Sequence, residues 1–172
     1  MQNFPHYTTQ QKWNHWLTAL LIFAVIILPM FKISLSHWLG GMTNVYMLHK
    51  SLGTLVLFFT FWRIFFIIKQ GVPNTLPKTK KLQRALAKSV QGCIYLLLIL
   101  LPLSGYLMSS RSLNFFNFIN IPAMPLPNYG YVFFHSVHIY GSYLLMVLIL
   151  MHILAAIYHH WWIKDNVVRS MV

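Results

Sequence analysis

Residues 89–110 carry no charged side chain, and none appears between Arg111 and Lys164 either. A soluble fold has no way to shield uncharged runs of that length, whereas a bilayer requires them. Four apolar segments recur along the 172 residues, at about 13–31, 44–68, 89–110 and 131–162. At ~1.5 Å rise per residue, each crosses a hydrocarbon core of ~30 Å with some tilt. Pro29 and Pro102 fall near the far ends of their segments, where a helix break costs least. The run at 13–31 is closed by bulky Met30 and Phe31 with no small-residue cleavage pattern after it, so it reads as a retained helix and not a signal peptide. The expected fold is an all-α membrane protein, a four-transmembrane-helix bundle forming one domain over 1–172.

The charges set the orientation. Thirteen Lys and Arg stand against one acid, Asp165. With the N-terminus in the cytoplasm, Lys12, Arg63, Lys69, Lys78, Lys80, Lys81, Arg84, Lys88, Lys164 and Arg169 lie inside, and only Lys32, Lys50 and Arg111 lie outside. The positive-inside rule then predicts that both termini are cytoplasmic. The basic loop at 73–88 is explained by topology and anionic lipid, so nucleic acid is not an expected partner. The proline-bearing loop at 113–129 is expected to pack over the outer mouth of the bundle. Trp13, Trp16, Trp38, Trp161 and Trp162 fall at helix ends, as an aromatic belt requires.

One acid cannot build paired-carboxylate catalysis, and one cysteine (Cys93) excludes a disulfide framework, a thiolate zinc site and a chain-held iron–sulfur cluster. Nine histidines remain. Ionisable groups inside membrane helices are costly and usually functional. His138 and His152 are fourteen residues apart, ~1400° of rotation and ~21 Å of rise, so they share a helix face with one near each leaflet. His49 matches the depth of His138 near the outside, and His15 matches that of His152 near the inside. Two level pairs without thiolates or acids suit two bis-histidine b-type haems. Gly53 and Gly141, close to His49 and His138, are expected to leave room for a flat macrocycle. His135 is one turn from His138 but ~100° off the face of His152, which favours His138. His159 lies ~10.5 Å beyond His152, too far to share its iron. His6 and His37 are expected outside the helices, and His160 at the interface.

These residues carry a family resemblance. His15-Trp16, His49-Lys50-Ser51-Leu52-Gly53, Tyr95 with Pro102-Leu103-Ser104-Gly105-Tyr106, and His152-Ile153-Leu154-Ala155-Ala156 followed by His159-His160, Asp165, Arg169 and Met171 together resemble the bacterial cytochrome b561 family. Gln91 stands where members often have histidine. The resemblance implies two non-covalent b haems of the inner membrane with His15, His49, His138 and His152 as axial ligands. It also implies electron exchange with ubiquinone and, for the best-understood branch, superoxide oxidation. The expected path runs from superoxide, or another small donor, drawn to Lys32, Lys50 and Arg111, toward a quinone near His159. Membrane lipid is the surrounding partner, and no protein partner is required. The competing reading is a membrane-anchor and electron-relay subunit of a separate dehydrogenase or hydrogenase. A histidine-relay transporter would show no visible haem absorption.

Overall fold

A computed structural model describes residues 6–73 and 81–172; Lys78 and Lys80 of the basic loop lie outside the described residues. Four helices are long and apolar enough to cross a membrane: α1 (Thr9–Met30), α3 (Met42–Gln70), α4 (Lys81–Leu107) and α5 (Asn128–Tyr158). A short α2 (Lys32–Trp38) follows α1, and a hairpin of β1 (Leu113–Phe115) and β2 (Ile119–Ile121) follows α4. The last helix passes into a π-turn over His159–Ile163. The chain is an all-α, multi-pass membrane protein built as a four-helix bundle.

Local chemistry sets the helix ends. α1 opens on a capping box, in which Gln11 N donates to Thr8 Oγ1 and Thr8 N donates to Gln11 Oε1. α3 ends at Gly71, whose φ of 76° suits glycine and whose amide donates to the Ile67 carbonyl. α4 starts at Lys81, eight residues before the apolar segment at 89–110 begins. Its first two turns carry Lys81, Arg84 and Lys88, so the helix projects past the hydrocarbon, where hydropathy gives no signal. His37 is another difference: it lies in the last turn of α2, exposed, not outside the helices.

The helices pack as α1 on α3, α3 on α4 and α4 on α5. Val56, Leu97, Leu98, Leu101 and Leu145 form the apolar core of α3, α4 and α5. Fully buried Thr18 and Thr60 return their hydroxyls to Asn14 O and Val56 O, and Asn14 Nδ2 donates to Phe59 O across the α1–α3 seam. Small side chains that satisfy their own polar atoms let helices approach closely in lipid. Large exposed side chains such as Leu20, Phe65, Leu150 and Leu154 form the outer surface, as lipid contact demands.

The hairpin closes one end of the bundle. Ser51 Oγ donates to Asn114 O and accepts from Phe116 N, which ties the hairpin to α3. Tyr106 OH donates to Pro122 O, holding the following loop over the same end. At the opposite end, Tyr7 N donates to Ser170 O, Trp16 Nε1 to Met171 O, and Gln11 Nε2 to Gly71 O. The start of the described chain and its C-terminal residues therefore meet beside the C-terminus of α3.

Candidate functional site

Helix α5 packs on α4 and brings one histidine to α3 and another to α1. His138 meets His49 of α3 with ring centroids 6.2 Å apart and planes at 80°. His152 meets His15 of α1 at 6.4 Å and 71°. The two separations are nearly equal, although the partners come from different helices. Two metal–imidazole bonds of ~2 Å, with about 1 Å from each nitrogen to its ring centre, place the centroids ~6 Å apart when one ion lies between them.

The backbone fixes the tautomers at the outer pair, beneath the hairpin. His49 Nδ1–H donates to the Val25 carbonyl at 3.0 Å, and His138 Nδ1–H donates to the Leu101 carbonyl at 2.9 Å. Each ring keeps Nε2 unprotonated for a metal. Val25 has this carbonyl available because the residue four positions on is Pro29, which has no N–H to return. Sequence reading took Pro29 only as a tolerated break. The i+4 relation to a carbonyl was the signal that could have found its role.

At the inner pair the second partner differs. Arg63 Nη1 donates to His15 Nδ1 at 2.7 Å, which leaves the ring proton on Nε2, so His15 must give up this bond before Nε2 can take a metal; the guanidinium also lies over the Tyr95 ring, 5.4 Å from the centroid. Beyond this pair, His159 is buried with 9% of its surface exposed, donating from Nδ1 to Asp165 Oδ2 at 2.5 Å. Gln83 donates its side-chain amide to His159 Nε2 at 3.0 Å. The π-turn and the left-handed Lys164 swing Asp165 back under the ring. Gln83 and the role of Asp165 were missed from sequence; a lone acid six residues after a histidine, among thirteen cations, was the available cue.

On the hairpin side, Lys50 Nζ donates to Ser109 Oγ at 2.7 Å, and Ser109 Oγ donates to the Arg111 carbonyl. Lys32 opens α2. His6, His135 and His160 are exposed and join neither pair. The two glycines beside these histidines differ in their surroundings. A Cβ at Gly53 would meet nothing within 4 Å, but one at Gly141 would come within 2.9 Å of Leu101 Cδ2, so Gly141 serves helix packing.

Among the described residues no cluster of three or more His, Cys, Asp or Glu side chains could hold a bare metal ion. Two facing imidazoles fit an ion that arrives with its other positions filled by a macrocycle. The sequence comparisons decide which. The family profile of prokaryotic cytochrome b561 matches residues 6–172. The chain belongs to the prokaryotic cytochrome b561 family. It is 28% identical over 163 residues to cytochrome b561 homolog 2 of Escherichia coli (strain K12), covering 92% of this chain and 86% of that protein. Cytochrome b561 membership assigns it transmembrane electron transfer by b haems, a redox role.

Close packing supports the outer pair in this cytochrome b561. A Cβ at Gly105 of α4 would stand 3.0 Å from His138 Cε1 and 3.2 Å from its Nδ1. Gly105→Ala is expected to push His138 off its carbonyl at an overpacking cost of about 1–3 kcal/mol. Haem per folded chain should fall. An unchanged haemochrome content would show that His138 absorbs the methyl group freely.

Proposed function

We propose that this cytochrome b561 carries electrons across the bacterial inner membrane from superoxide at the periplasmic face to ubiquinone at the cytoplasmic face. The observation that carries the reading is the pair of facing imidazole couples, His49 with His138 and His15 with His152, at matching separations on one face of α5. Each couple would hold one non-covalent b haem, and the chain's lack of Cys-x-x-Cys-His rules out covalent c-type attachment. Bound there, haem iron supplies reversible one-electron chemistry.

The protein's own groups do the rest. Val25 O and Leu101 O hold the outer rings in the ligating tautomer. Lys50 and Arg111, gathered around Ser109, give the outer face a positive potential that concentrates a small anion. No acid among the described residues lies at that end. At the inner end His159 Nε2 is the proton-handling atom for quinol formation, and Asp165 holds the ring through its Nδ1. Both termini lie in the cytoplasm on this reading, which the placing of ten of thirteen basic residues on that side supports.

Purified protein should contain two b haems per chain by pyridine haemochrome. Superoxide should reduce them, and ubiquinone should reoxidise them. One haem per chain would refute the four-ligand assignment. Full haem with no response to superoxide would instead favour a donor delivered by another protein. A C-terminal reporter fusion should be active only in the cytoplasm, and periplasmic activity would reverse the direction of the path.

A further inference from the structure

Arg63 follows His49 on α3 by fourteen residues, the spacing that separates His138 from His152 on α5. Fourteen residues return a helix to nearly the same face, ~21 Å further along. α3 therefore presents His49 at the outer couple and Arg63 at the level where α5 presents His152. The contacts agree: the guanidinium bonds His15 Nδ1 and covers the Tyr95 ring.

A guanidinium stays charged, and within a membrane bundle that charge needs an anion. The chain has one acid, Asp165, and His159 holds it. The Tyr7 phenol is close enough to Arg63 to feel its charge, but burial raises its pKa above the ordinary value, so it is neutral at pH 7. The other groups facing Arg63 are the Tyr95 hydroxyl and the imidazoles of His15 and His152. Among the described residues Arg63 has no anionic partner.

We propose that Arg63 is the counter-cation for a carboxylate of the macrocycle held at the inner couple. A b haem carries two carboxylates, and the planar guanidinium fork matches a carboxylate bidentately. A quinone is neutral and would leave the charge uncompensated. The inference rests on the reading of His15 and His152 as an axial couple.

The test is a potentiometric titration of purified wild type, R63Q and R63K, followed by haem spectra, with haem content per folded chain measured alongside. His49→Ala, which should retain only the inner haem, identifies the inner midpoint. Oxidised iron bears one more positive charge than reduced iron, so losing the Arg63 cation stabilises the oxidised form. In R63Q the inner midpoint should therefore move to lower potential, or the inner haem alone should be lost, while the outer midpoint stays in place. R63K should restore most of the wild-type value. Unmoved midpoints with two haems in R63Q would overturn the proposal. So would an equal shift of both midpoints, or an R63K protein as impaired as R63Q, because charge would then not be the property that matters. Two haems retained in His15→Ala would instead sink the axial-couple reading beneath it.

Discussion

Replacing His15 or His152 with alanine is expected to reduce haem content from two to one per folded chain and to leave the outer component's spectrum in place. His49→Ala or His138→Ala should remove the other haem and with it reduction by superoxide. On the proposed ligand assignment the couples should fail separately, because each takes one ring from α5 and its second from a different helix, His15 from α1 and His49 from α3. His135→Ala should keep both haems, since His135 is exposed and meets neither couple. Loss of a macrocycle leaves a large void, and voids destabilise by about 24 cal/mol per Å³ of residual cavity. Haem per folded chain is therefore the quantity to compare, and yield is not. Loss of a haem in His135→Ala with both retained in His138→Ala would move the ligand one turn along α5.

His159→Ala should keep both haems and their reduction by superoxide but slow ubiquinone reduction about 10²–10⁴-fold, the usual effect of removing a placed proton donor. Asp165→Asn should slow it less. The amide still accepts from Nδ1 but holds the ring through a weaker, uncharged hydrogen bond. Stopped-flow traces separate the two phases, because haem reduction precedes and haem reoxidation reports the quinone step. Equal slowing of both phases would mean that His159 is structural, clamping the C-terminal turn through Asp165, whose Oδ1 also accepts from Val167 N.

The bundle was legible in the sequence because bilayer thickness translates directly into lengths of apolar chain. The ring couples were legible because fourteen residues on a helix is a rotation and a rise, and both follow from backbone geometry alone. The contacts that prepare each ring were not. Val25 O reaches His49 across two helices, and Gln83 reaches His159 from a turn of α4 that apolar periodicity does not include. The hairpin over the outer end was read only as a packed loop, since three-residue strands turning through Phe116 and Asn117 at positive φ carry almost no period. Gly141 was misread because nearness in sequence to His138 does not say which neighbour a glycine faces; here it is Leu101.

Pro29 gives thermal stability and cofactor loading opposite preferences. An alanine there would restore the missing amide to α1 and, by helix propensity alone, lengthen and firm the helix. It would also return the Val25 carbonyl to the helix ladder and leave His49 to choose its own tautomer. Optimisation scored on melting temperature would accept that exchange and deliver a sturdier apoprotein with a poorer grip on iron. Such a gap in a helix is a specification, and it is visible only when the vacant carbonyl is followed to the side chain it serves.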